Sequence, residues 1–415
     1  VATTGVVVAV RHRAEAELTA AIDAHPALAV ARRCADLAEA VAAVQAGAGA
    51  VMVVSDQPRL TRDVLADLAR SGVALVGVAA TDDEGQHLRT LGIHDVWAAP
   101  SAPALAQHLA SLADQATPGV VERVTKHAHA GQGQAGHVYA VWGPAGAPGR
   151  TTVAVGLAAE FAARGYRTCV VDADTYGGAV AQATGMLDEA PGLAGVARAA
   201  STGRVDGDVL ARHAVRLNSR LSVLSGISRP SRWPELPAPA LDAVWDALRD
   251  WADITVIDTG FSLEHDEDLT YDTRAPQRNG ATLSALTAAD TVVAVGSAEP
   301  LGVQRLIHAW ESLTALAPQP VVAMNRVRAE VAGPQPTQAL ADALTRYAGV
   351  DEAWMLPWDP RSADAATLAG QTLRERAPRG KLTKAMGALA GGVLGAAMVG
   401  APARISDVAV PALGQ

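Results

Sequence analysis

The chain has 415 residues, 49% hydrophobic and 19% charged, with a net charge of -9. This excludes a disordered polymer and leaves room for two or three domains. The acidic balance speaks against a surface built for sequence-specific nucleic-acid binding, and no apolar run is long enough to span a membrane. Cys34 and Cys169 lie far apart in apolar strand patterns, without zinc or disulfide spacing, which fits a reducing cytoplasm. No secretory leader is expected at the start.

Residues 1–112 alternate apolar strands (6–10, 28–31, 50–54, 74–78, 95–98) with amphipathic stretches such as 14–22 and 37–45. That pattern predicts a doubly wound parallel sheet of flavodoxin-like type. From 113 to 136 the composition turns to Pro, Gly, Gln and His, which reads as a flexible linker. A second α/β domain is predicted over 137–385, with buried-type apolar runs at 138–142, 168–172, 221–224, 254–258, 291–295 and 321–325. The fold class is therefore α/β, with two doubly wound parallel-sheet domains.

The chemistry concentrates in the second domain. After the run 138–142 comes Gly143-Pro144-Ala145-Gly146-Ala147-Pro148-Gly149-Arg150-Thr151-Thr152, opening a predicted helix. Strand, glycine-rich turn and helix with an early hydroxyl form a P-loop, whose amides and helix N-terminus favour a phosphate. The lysine such loops use as a point charge is replaced by Arg150. No lysine stands anywhere between Lys126 and Lys381. Asp172 and Asp174 end the run 168–172, where open α/β sheets place their ligand crevice. The run 254–258 ends in Asp258-Thr259-Gly260, an arrangement by which Asp258 would hold magnesium with Thr151 as hydroxyl ligand.

These three segments, in this order, resemble the MinD/ParA class of deviant Walker ATPases. The resemblance implies ATP and Mg as cofactors, with Gly143, Gly146, Gly149, Arg150, Thr151, Thr152 and Asp172 around the nucleotide. It implies that Asp174 is the switch acid that orients water. Val321-Val322-Ala323-Met324-Asn325 looks like the family's adenine-reading strand, with Asn325 facing the base, and Pro357 of Leu356-Pro357-Trp358-Asp359 looks like part of its pocket-closing segment. Two departures bear on activity: the signature lysine near the loop's start is missing, and one extra residue stands before Gly149. The acidic run Glu264–Asp268, with Tyr271 and Asp272, is either a solvated loop or a partner-facing surface.

Gly92-Ile93-His94-Asp95-Val96-Trp97-Ala98-Ala99-Pro100 resembles the end of a response-regulator receiver domain. Arg11 and His12 stand where the acidic pair belongs, and Ala99 where the lysine belongs. Asp56 near the acceptor position is thus short of magnesium ligands, and the domain reads as a pseudo-receiver. A pseudo-receiver before a MinD-like domain is similar to the layout of CpaE/TadZ proteins, which organise Flp/Tad pilus assembly; related proteins are described as septum-site-determining. This implies a cytoplasmic homodimer at a cell pole or the inner membrane face, recruiting pilus-assembly or division-site proteins, with weak or absent hydrolysis. A scaffold that binds no nucleotide and an active ParA-type partition ATPase remain alternatives. The end of the chain, 386–415, reads as an apolar tail behind Arg374, Arg376, Arg379, Lys381 and Lys384. By resemblance that order allows peripheral membrane contact; its glycines and lack of aromatic anchors favour a docked or loosely ordered tail.

Overall fold

The structure, a computed structural model, describes residues 3–11, 14–115, 135–146, 148–186, 192–264 and 277–399. The linker residues 116–134, the acidic stretch 265–276 and the end beyond Val399 lie outside the described residues.

The first domain is built on β1 (Thr4–Ala9), β2 (Leu28–Arg33), β3 (Val51–Ser55), β4 (Ala74–Ala79) and β5 (Val96–Ala98). They pair in parallel in the order β2-β1-β3-β4-β5. Alternation along each strand sends side chains to opposite faces. Val6 and Val8 meet Leu18, Ile22, Leu105 and Leu109 on one face. Val7 and Ala9 meet Leu37, Val41, Leu65 and Leu88 on the other.

The second sheet contains β6 (His137–Trp142), β7 (Thr168–Ala173), β8 (Val215–Arg216), β9 (Leu221–Leu224), β10 (Ile254–Thr259), β11 (Thr291–Ser297), β12 (Val321–Val327) and β13 (Ala353–Pro357). Their order is β13-β12-β11-β6-β10-β7-β9-β8. Every pair is parallel except β8 with β9 at one edge. The short β8 and the strand character of β13 are additions to the sequence expectation. From central β6 the connections run to both sides, so the strand order reverses there and leaves a crevice at the carboxyl ends. The helix Arg62–Arg70 of the first domain packs against the helices Gly192–Ser201 and Ala238–Trp251 of the second.

The helix Lys381–Val399 runs straight through residue 385, where the sequence reading ended the domain. Leu382, Met386, Leu389, Ala390 and Val393 are buried in the same core as Val153, Leu157 and Phe161. Met386 lies against Gly156, where a Cβ would come within 2.9 Å of its methyl carbon. The buried Glu160 ties this corner, paired with Arg164 at 3.0 Å and Arg374 at 3.2 Å. The glycines of this segment serve close packing. At Gly392 a Cβ would stand 2.1 Å from the ring of Trp354.

Candidate functional site

The loop after β6 leads into the helix Arg150–Ala163, whose N-cap Gly149 is left-handed at φ 97°. A glycine cap offers no side-chain acceptor, so the first-turn amides face the crevice without one. Gly146 is also left-handed, at φ 104°. At Gly143 the limit is space rather than φ, since a Cβ would meet Val295 O at 2.4 Å. Thr152 is half-buried on the first turn.

Beneath the loop, β10 lies between β6 and β7, with Asp258 in register with Val141 on one side and Asp172 on the other. The Thr151 hydroxyl donates to Asp258 Oδ2 at 2.5 Å. Asp258 is fully buried. Its Oδ1 has no hydrogen-bond partner among the described residues. Burial, then the charge of Asp172, hold this carboxyl well above the ordinary carboxylate range, against the pull of Thr151 and Arg150. A buried carboxylate oxygen left without a donor, beside a hydroxyl, is what a divalent cation would satisfy.

Asp172 is occupied otherwise. Its Oδ1 accepts from Asp174 N at 3.2 Å and its Oδ2 from Val180 N at 3.1 Å, so it holds the turn that follows β7. Asp174 Oδ1 accepts from the amides of Tyr176 and Gly177 at 2.8 and 3.2 Å. Its Oδ2 accepts from Arg150 Nη2 at 3.0 Å. Arg150 Nη1 donates to Gly143 O at 3.1 Å and Pro144 O at 3.3 Å. The guanidinium is therefore folded back onto the loop and the switch acid. Arg150 is 12% exposed and Asp174 4%.

Among the described residues, no three His, Cys, Asp or Glu side chains converge to hold a metal on their own. A divalent ion at this place would take Thr151 and Asp258, with further oxygens from a bound ligand and water. The residues present fit such an ion.

The sequence model for the CobQ/CobB/MinD/ParA nucleotide-binding domain matches residues 139–368, more than half of the chain. The chain belongs to this family. No curated protein matches it. Among solved structures, a ParA family ATPase from Chlorobium tepidum TLS is similar over 62% of this chain and 99% of its own, at 16% identity and a TM-score of 0.52. The cell division ATPase MinD of Pyrococcus furiosus is similar over 63% of this chain and 99% of its own, at 19% identity and a TM-score of 0.50. The septum site-determining protein MinD complexed with Mg-ADP from Pyrococcus horikoshii OT3 is similar over 64% of this chain and 98% of its own, at 18% identity and a TM-score of 0.50. These likenesses are of fold.

Asn325 and Pro357, expected at the nucleotide, make contacts of their own within the fold. Asn325 bonds to the phosphate loop and to its own strand. Its Nδ2 donates to Pro148 O at 2.8 Å, and its Oδ1 accepts from Arg326 N at 2.8 Å. Gly149 makes room for this latch, since a Cβ there would lie 2.3 Å from the amide nitrogen. Pro357 ends β13, paired with Val327 on β12. The next residue, Trp358, is 37% exposed. Arg326 and Arg328 reach over its ring at 5.7 and 5.0 Å.

Sequence reasoning missed two further groups. Tyr176 joins the turn after β7 to the residues ahead of the helix Gly280–Ala288: its hydroxyl donates to Asn279 Oδ1 at 2.7 Å, and Arg278 lies 4.4 Å over its ring. Arg305 reaches the loop from the helix Pro300–Leu316, and no local motif marks it. In the first domain, Ser55 Oγ accepts from Arg11 N at 3.0 Å and Gln57 Nε2 donates to Ala9 O at 3.1 Å, closing the space between β1 and β3.

Proposed function

We propose that this protein is a nucleotide-binding spatial organiser of MinD/ParA type, which binds ATP with magnesium and turns it over slowly or not at all. The observation that carries the reading is the Thr151–Asp258 pair with its orphaned buried oxygen, set under an uncapped helix N-terminus. Gly143, Gly146 and Gly149 shape the phosphate cradle, and Thr151 and Asp258 hold the ion. When bound, magnesium supplies charge neutralisation for the phosphates. Asp172 braces the switch turn. Asp174 would orient water only after release from Arg150, which is the reason for weak turnover.

The wider reading is a homodimer favoured by nucleotide, in a CpaE/TadZ-like layout with a pseudo-receiver at 1–112 and the nucleotide domain from 137 onward. The strand order of the first sheet and the plugged space at Ser55 and Gln57 support it. Its partners would be pilus-assembly or division-site proteins, met in the cytoplasm at a pole or the inner membrane face. Uniform distribution of a fluorescent fusion would reject that part.

One observation favours a different reading. Arg150 already fills the site with internal bonds, as in a scaffold without nucleotide. Calorimetry with ATP-Mg on the wild type and Arg150→Ala decides between them. Saturable heat supports the switch, and no heat with either protein rejects it. Phosphate release, with Asp174→Ala as control, then measures turnover.

A further inference from the structure

We propose that Arg305 is the phosphate-contacting cation of this site, supplied from outside the loop in place of the lysines the loop lacks. This rests on the nucleotide-binding reading above. Arg305 lies on the helix that follows β11, 160 residues along the chain from the loop. Its Nη1 donates to Ala145 O at 3.4 Å, a long bond and its one hydrogen bond among the described residues. A Cβ on Gly146 would stand only 2.0 Å from that nitrogen. The guanidinium therefore occupies space that opens only because residue 146 has no side chain. The left-handed φ of 104° independently favours glycine there.

Charge makes the case for a second cation. Asp172, Asp174 and Asp258 are all buried around the loop. Arg150 is the basic group set among them, and both of its terminal nitrogens are engaged, with Asp174 and with two loop carbonyls. A magnesium–triphosphate unit brings further net negative charge into the same crevice. Arg305 is exposed and has no carboxylate partner among the described residues. A guanidinium without a carboxylate partner, held by one long bond to Ala145 O, can turn two N–H groups to phosphate oxygens without breaking an ion pair. Arg150 would have to leave Asp174 to do the same. The division of labour follows: Arg150 holds loop and switch acid together, and Arg305 meets the ligand.

The test titrates ATP-Mg calorimetrically into full-length wild type, Arg305→Ala and Arg305→Lys, with thermal melts of each protein free of nucleotide. The alanine variant is expected to lose about tenfold or more in affinity, the value of a hydrogen bond to a charged group. The lysine variant should recover most of it. All three nucleotide-free melts should agree within about 1 °C, as for an exposed side chain. Unchanged affinity in Arg305→Ala overturns this inference while leaving nucleotide binding intact. An affinity loss matched by a lowered melt in both variants also overturns it, because that marks a structural brace. Absence of binding by the wild type overturns the proposed function, and this inference with it.

Discussion

Replacing Arg150 with methionine keeps an apolar stem and deletes the guanidinium. Two carbonyl oxygens, of Gly143 and Pro144, then lose donors at 3.1 and 3.3 Å. Asp174 Oδ2 loses its partner at 3.0 Å while Oδ1 keeps the Tyr176 and Gly177 amides. Removing one member of a buried ion pair costs about 3–5 kcal/mol, because the other charge stays behind unpaired. The crevice is open enough to leave Arg150 12% exposed, so water reaches the orphaned oxygen and the lower end, about 3 kcal/mol, applies. For a domain of this size each kcal/mol moves the melting temperature about 2–4 °C, giving a drop of about 6–12 °C without nucleotide. The attribution is checked by urea unfolding of Arg150→Met, Asp174→Asn and the double variant. Coupling between the two sites should be about 2 kcal/mol, since Asp174→Asn removes the charge the first variant strands. A coupling below about 0.5 kcal/mol refutes the reasoning, for it would mean the guanidinium does not rest on Asp174.

Other consequences are simpler to measure. Met386→Ala should destabilise by about 2–5 kcal/mol in urea, because it empties a buried site against Gly156. A loss under about 1 kcal/mol would show that the C-terminal helix is not part of the core. Burial pushes the His137 imidazole below its usual range, with Arg249 adding to the effect and Asp290 opposing it. The unfolded chain therefore binds this proton more readily. The stability it contributes is full above the unfolded pKa and falls as pH drops from about 6.5 towards the lower folded value. Melts between pH 7.5 and 5.5 should decline less in His137→Gln than in the wild type, and parallel slopes would contradict this. The Cys169 thiol is fully buried and pushed up to about 12. It should resist a thiol reagent in the native protein and react on unfolding; fast native labelling would place it at the surface.

The central strands could be read from the sequence because each is a continuous apolar run ending in a polar residue, as in 254–258 with Asp258. Buried parallel strands need both faces apolar, and that pattern is local. The loop was legible for the same reason: its glycines, Thr151 and the downstream acids sit at fixed distances along the chain. What Arg150 and Asn325 do with their side chains was not legible. Position along the loop does not determine whether a guanidinium points out to a ligand or back to Asp174. The edge strands escaped notice for other reasons. β8 has only two residues, and β13 ends in a proline, which cannot donate to the ladder and weakens the strand pattern. The helix Lys381–Val399 was obscured by Gly387, Gly391, Gly392 and Gly395, which lower helix propensity. At Gly392 the glycine admits the ring of Trp354, a reason visible only in three dimensions.

The docking of that last helix affects how experiments on the protein's location should be designed. Deleting a C-terminal helix is the usual way to ask whether it brings a protein to a surface, and loss of localisation is then taken as the answer. Here the deletion would strip Leu382, Met386, Leu389 and Val393 from the core that also holds the helix behind the phosphate loop. A protein shortened at residue 380 would be mislocalised because it is damaged. Charge reversals at Lys381 and Lys384, which are exposed and leave the packed face intact, put the question of surface contact without removing that core.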